Sequence, residues 1–253
     1  MSDPRSNPYA TPIPGSREAG GQGGTPTGLP SDLGVKPDPR LATAFLTQSF
    51  VWMFFGLLVT AGIAFVVRDN AQLLRIAQDY LLLLIIGQVA LALGIQMGIR
   101  KINASLALGL FFVYAASLGL SIGLIVSFYT EASVVTAFLS ASAMFGAAAI
   151  YGHVTKRSLA NLGGLLFIGV IGLIVATVLN VFLLNDTLSW VISIIGVVIF
   201  TALTAYDVQR IQNGDLAVYT GSMEKAAVLG ALHLYLDFIN IFLFLLRIFG
   251  SRD

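Results

Sequence analysis

Seven apolar stretches determine what this chain can fold into, because each is close to the about 20 residues that an α-helix needs to cross a bilayer. They are residues 44–67, 80–99, 104–129, 132–151, 162–184, 188–206 and 226–249. Most links between them are short, so we expect neighbouring helices to be antiparallel. The sequence predicts an all-α membrane protein, a seven-transmembrane-helix bundle that occupies residues 44–253 as one domain.

The composition agrees with this prediction and excludes several functions. Hydrophobic residues make up 57% of the chain and charged residues 11%, proportions that no soluble domain of this size tolerates. A net charge of +1 excludes nucleic acid as a partner. Without cysteine there is no disulfide or thiolate site, and two histidines are few for a metal centre, so we expect no cofactor.

The segment before the first apolar stretch has a different character. All eight prolines of the chain fall within its first 39 residues, which also carry balanced charges, so residues 1–43 are predicted to form a disordered tail. Eight Lys and Arg residues flank the spans on the side of this tail and four flank them on the other side. The positive-inside rule therefore predicts a cytoplasmic N-terminus.

An acid lies halfway along the last apolar stretch, at Asp237. A carboxylate at that depth in hydrocarbon is costly, so it is a functional-site hypothesis by default. Other residues recur with it at spacings of three and four and therefore share one helix face: Gly230, His233, Asn240, Phe244 and Arg247. We expect this face to point into the bundle or into a wet cavity, with His233 and Asn240 as candidate latch or pore-lining residues.

A second acid, Asp207, ends the sixth apolar stretch, and two interpretations remain open. It is an interfacial residue paired with Arg210 on the same helix, or it meets Asp237 inside the bundle. At 1.5 Å per residue Asp237 lies about 16 Å deep and Asp207 about 6 Å deep. The two therefore meet only if the seventh helix enters the membrane near Gly230, or if the sixth helix is longer than its apolar stretch.

A pair formed by these acids has a definite chemistry. Two carboxyls within about 4–6 Å do not both ionise easily, so the pair titrates as a unit and senses protons. Deprotonated, Asp207 and Asp237 form a hard-ligand site for transient Ca²⁺ binding, with Asn240, backbone carbonyls or water completing the shell. Arg100 is a candidate to hold one acid in a closed state, although it is explained equally well as a positively charged flank.

Three segments carry a resemblance to a known family: YGHVTKRSL at 151–159, TAYDVQ at 204–209 and LYLDFINIFL at 234–243. The chain from about residue 44 onward resembles the transmembrane Bax-inhibitor-motif (Bax inhibitor-1-like) family. The resemblance implies that the seventh helix is central and that the protein is a pH-sensitive calcium leak channel of the bacterial cytoplasmic membrane. It also implies that Asp207 and Asp237 form the gating dyad and that an arginine of the second helix, for which Arg100 is the nearest candidate, pairs with Asp207.

Two other classes of function were weighed. Paired acids on neighbouring helices are also typical of intramembrane aspartyl proteases, but the Gly-x-Gly-Asp and Pro-Ala-Leu segments of that family are missing, so we expect no enzyme. Some bacterial relatives bind and modulate a membrane protease, so a regulatory membrane protein remains the alternative. A channel predicts that the aspartates control ion flux, and a regulatory protein predicts that residues 1–40 matter more.

Overall fold

The structure is a computed structural model that describes residues 39–251, and within this range the chain forms nine helices. They are α1 (Pro39–Arg68), α2 (Ala71–Asp79), α3 (Leu81–Gly98), α4 (Ala104–Val126), α5 (Glu131–Val154), α6 (Leu162–Leu183), α7 (Asp186–Gln212), α8 (Asp215–Thr220) and α9 (Met223–Phe249). All except α2 and α8 are long and apolar enough to cross a membrane, which confirms the predicted bundle of seven spans.

The first helix begins before the predicted domain boundary at residue 44. Residues 1–38 of the predicted tail lie outside the described residues, whereas 39–43 belong to α1. Proline suits the first helical position, since the N–H that it lacks would have no partner in the helix there. The helix therefore begins before the apolar stretch from which it was predicted. The cytoplasmic location of the tail stays a prediction.

The connection between the last two spans contains a short helix, α8, that hydropathy did not predict. It follows Gly214 and precedes Gly221, whose φ angles of 77° and 67° lie in the left-handed region that favours glycine. Residues Leu216 and Thr220 of α8 are buried, so the connection packs against the bundle instead of looping away from it. This packing holds the adjoining ends of α7 and α9 in place.

Helix α9 occupies the centre of the bundle, as the sequence predicted. It packs against α1, α4, α5, α7 and α8, and 72% of its most apolar stretch is buried. Polar contacts join it to its neighbours: the Tyr235 hydroxyl lies 2.6 Å from the Thr60 hydroxyl of α1, which lies 2.9 Å from the Ala115 carbonyl oxygen of α4. Three spans are thus tied together deep in the bundle, where such groups need partners within the protein.

Close approach between spans depends on small residues. A Cβ atom placed on Gly152 of α5 would collide with the Ala205 carbonyl oxygen of α7. On α4, a Cβ atom at Gly123 would come within 2.9 Å of the Ala64 carbonyl oxygen of α1. Membrane helices gain contact area in this way, because small residues let their backbones approach.

Candidate functional site

The relative register of α7 and α9 decides which of their side chains meet. At one end, Gly230 of α9 lies against Ile211 of α7, with 3.0 Å from an added Cβ to the Ile211 side chain. At the other end, Phe244 of α9 lies against Gly196 of α7. The helices are therefore antiparallel, and the first two turns of α9 extend beyond the end of α7 at Gln212. In this register Asp207 lies level with His233, and Asp237 lies level with Thr204, one helical turn from Asp207, so both acids reach the interface between α7 and α9.

Both acids lie at the interface between α7 and α9. Asp207 and Asp237 are buried, with 8% and 4% of their surface exposed, and they are near enough for the charge of one to affect the other. The Thr204 side chain, one turn before Asp207 on α7, lies beside the Asp237 carboxyl, and its hydroxyl donates to the Phe200 carbonyl oxygen at 2.9 Å. Among the described residues, Asp237 Oδ2 has no hydrogen-bond partner. Two carboxyl groups from different spans thus share one enclosed site.

A third titratable group completes the site from α9. His233 Nδ1 lies 3.7 Å from Asp207 Oδ1 and makes no hydrogen bond with any residue that the structure describes. This distance is longer than a hydrogen bond but short enough for strong attraction when the imidazole is protonated. Asp207 therefore lies between a histidine and an acid, both supplied by the central helix.

The arginine beside Asp207 is Arg210, on the same helix. Its charge acts on both Asp207 and His233, and its Nε is buried with no hydrogen-bond partner in residues 39–251. The charges of Arg210 and Asp207 also act on Tyr206. Asp207 is therefore a buried residue between α7 and α9 and not an interfacial one, and its only ion-pair partner among the described residues is His233.

Arg100 is not brought to the dyad. It is exposed after the end of α3, its guanidinium carbon lies 6.0 Å from the centre of the Tyr219 ring, and its carbonyl oxygen accepts a hydrogen bond of 3.3 Å from Lys225. Helix α3 packs mainly against α4, so its end does not reach Asp207 on α7. The structure therefore corrects the expectation that Arg100 pairs with Asp207, and the arginine near that acid is Arg210 of its own helix.

Asn240 faces a different space from the dyad. Its amide nitrogen donates to the Leu236 carbonyl oxygen at 2.8 Å, and its side chain lines a cavity of about 300 Å³ to which neither aspartate contributes. In the part of the chain that the structure describes, no three or more His, Cys, Asp or Glu side chains are grouped to hold a metal ion. Since Ca²⁺ takes 6–8 oxygen ligands, its binding to Asp207 and Asp237 stays a prediction that requires water or carbonyl oxygens.

One positioning residue, Gln209, was not singled out from the sequence. Its Oε1 accepts a hydrogen bond of 2.7 Å from the Leu159 backbone N–H, and its Nε2 donates to the Arg157 carbonyl oxygen at 2.9 Å. These bonds tie the loop after α5 to α7 two residues beyond Asp207. The available signal was its place in the segment at 204–209, next to the acid.

Comparisons with known proteins were made on the whole chain. A family profile described as Inhibitor of apoptosis-promoting Bax1 matches residues 42–253. The chain is 41% identical over 228 residues to the inner membrane protein YbhL of Escherichia coli K12, covering 88% of this chain and 97% of YbhL. It is 40% identical over 210 residues to an uncharacterised protein of Deinococcus radiodurans, covering 83% of this chain and 91% of that protein. A protein of Borreliella burgdorferi is 36% identical over 223 residues, covering 86% and 96%.

Proposed function

The chain belongs to the family described as Inhibitor of apoptosis-promoting Bax1, and on that basis we propose that it is a pH-sensitive Ca²⁺ leak channel gated by Asp207 and Asp237. It is an integral membrane protein, and its seven apolar spans together with the inner-membrane relative of Escherichia coli assign it to the bacterial cytoplasmic membrane. The observation that supports the gate is the meeting of two buried carboxyls from different spans.

The gate follows from the charge of this site. In a low-dielectric interior, two neighbouring carboxyls exchange protons as a coupled pair, and each proton changes the net charge between α7 and α9 by one unit. His233 and Arg210 lie close enough to Asp207 for that change to alter their attraction to it. The interface between the central helix and α7 therefore has a balance of charge that depends on pH.

Ca²⁺ is the cargo of this pathway. Carboxylate oxygens suit a hard cation, and the pair offers them only when it has lost its protons. Protonation thus competes with the ion for the same atoms. A pathway with this site must conduct in a manner that depends on pH.

The test is Ca²⁺ flux into dye-loaded proteoliposomes at pH values from about 6 to 8, the range in which histidine and coupled acids titrate. Wild type is compared with Asp207→Asn and Asp237→Asn at matched protein density. We expect either substitution to flatten the pH dependence of the flux. Asp186→Asn is the matched control, since Asp186 is an exposed acid in the first turn of the same helix, α7, and its loss should leave the wild-type profile.

The opposite result would select the alternative function. If wild-type vesicles take up no more Ca²⁺ than empty ones at every pH, the channel proposal fails and a regulatory protein that binds a membrane protease takes its place. Deletion of residues 1–40 should then change the activity of that protease while the aspartate substitutions do not. We also propose that the dyad does not hydrolyse peptides, so a labelled transmembrane peptide incubated with the protein should stay intact.

A further inference from the structure

A lateral groove runs along the outer side of α7 between α6 and α9. Its walls come from α6, including Leu173 and Thr177, and from α9, including Asn240 and Phe244, and Phe200 of α7 forms its floor. The enclosed volume is about 300 Å³. This volume is at the small end of the range for ligand pockets, so the groove accommodates one chain-like group and not a bulky molecule.

The groove opens toward the lipid. Helix α6 packs mainly against α7 and does not close over α9, and only 11% of its most apolar stretch is buried. Ile174, which lines the groove, has 58% of its surface exposed on this outermost helix. The occupant therefore enters from the bilayer, sideways between two spans.

The chemistry of the lining changes along the groove. Most lining side chains are apolar, while Arg247 lies two residues before the end of α9, is exposed, and also contributes to the lining. From Asn240 to Arg247 is about 10 Å along the helix axis, the distance of two helical turns. No acidic side chain lines the groove, so the guanidinium has no competing anion among the lining residues.

We propose that this groove binds an anionic phospholipid, with one acyl chain between α6 and α9 and the phosphate on Arg247. An apolar channel matches the chain, and a guanidinium at its end matches a phosphate, to which arginine donates paired hydrogen bonds. The site is separate from Asp207 and Asp237, so this proposal holds whether or not the protein conducts Ca²⁺.

The test uses the full-length protein in detergent with added palmitoyl-oleoyl phosphatidylglycerol or phosphatidylcholine, and native mass spectrometry counts the lipid retained. We expect wild type to prefer phosphatidylglycerol and Arg247→Gln to reduce that preference by about tenfold or more, since charge-assisted hydrogen bonds are lost. Arg247→Lys should keep part of it. Arg75→Gln is the control, because Arg75 is exposed on α2, away from the groove, and its loss should leave the preference unchanged.

A second variant tests the apolar part of the site. Thr177→Phe fills the groove from α6 and should lower the retention of both lipids. The oligomeric state of the protein, read from its native mass, should be the same as in wild type. The proposal is overturned if wild type retains the two lipids equally, if Arg247→Gln keeps the wild-type preference, or if Thr177→Phe retains lipid as wild type does. It is also overturned if wild type is a dimer that Thr177→Phe converts to a monomer, because a second copy of the chain would then be the occupant. If Arg247→Gln fails to fold, the lipid preference of wild type and the lipid retention of Thr177→Phe still test the proposal.

Discussion

Helices α6 and α9 are both long membrane spans, yet they have opposite places in the bundle. The most apolar of the seven spans is α6, and only 11% of its most apolar stretch is buried, whereas the figure for the less apolar α9 is 72%. In water the more apolar helix would be inside. In a bilayer, apolar side chains lose nothing by facing lipid, so the polar groups decide which helix the protein encloses.

The polar side chains of α9 show how that enclosure is used. Tyr235 meets Thr60 of α1, and Asp237 and His233 meet Asp207 of α7. In α6, the side chains of Phe182 and Phe167 are 80% and 66% exposed, and they require no partner in lipid. A span becomes central because its polar groups need partners inside the protein, and three substitutions test this difference between α6 and α9.

The largest effect is expected from giving the outer helix an acid of its own. Val175 lies near the middle of α6 and is 52% exposed, so Val175→Asp would place a carboxylate against lipid with no partner. We expect a cost of about 2.5–3.5 kcal/mol in membrane insertion of the helix, which an α6 insertion assay measures. Val175→Leu is the control and should insert as wild type does. If Val175→Asp inserts as well as wild type does, a carboxylate facing lipid costs nothing, and the need to enclose Asp237 no longer explains why α9 is central.

A smaller effect is expected from the tight contact beside the dyad. Gly152→Ala would push a methyl group against the Ala205 backbone, which cannot move as a side chain can. We expect a loss of about 1–3 kcal/mol in the free energy of unfolding in detergent, the usual cost of overpacking. Gly146→Ala is the matched control on the same helix, since nothing lies within 4 Å of its added Cβ. Equal stability of the two variants would show that α5 can move away from α7 without a cost in free energy.

The smallest effect is expected at the hydrogen bond deep in the centre. Tyr235→Phe removes the hydroxyl that lies 2.6 Å from Thr60 and keeps the ring, which is fully buried. We expect the free energy of unfolding to fall by about 1 kcal/mol, as for other hydrogen bonds between membrane helices. Tyr80→Phe, at a tyrosine with 57% exposure, should leave it unchanged. An equal loss in both would mean that burial adds nothing to this bond.

Hydropathy predicted the seven spans because each needs a long apolar stretch, but it misjudged where the helices end. The sixth stretch ends at residue 206, whereas α7 continues to Gln212. Helix formation depends on backbone hydrogen bonds, which polar residues such as Gln209 make equally well once the chain leaves the hydrocarbon. For the same reason α2 and α8, which need no apolar stretch, were not predicted.

The site was predicted in its members and not in its arrangement. Asp237 was found from the cost of a carboxylate in an apolar helix, His233 from the face that it shares with Asp237, and Asp207 from its segment in the family resemblance. The structure places all three at the interface of α7 and α9. Arg100 and Asn240 were assigned to the same site and lie elsewhere. The position of Arg100 depends on how the end of α3 packs in the folded bundle. The stagger between α7 and α9 depends on contacts such as that of Gly230 with Ile211, which no single stretch of sequence encodes.

The central position of α9 has a consequence for how the protein is made. The six other spans precede α9 in the chain, so they leave the ribosome and enter the membrane before the helix that fills their centre exists. Until it arrives, the Thr60 hydroxyl of α1 lacks Tyr235, and Asp207 lacks both partners from α9. Synthesis that stops early therefore leaves a ring of helices with unsatisfied polar groups on its inner wall. The bundle of these seven spans is therefore complete only when α9 has joined it.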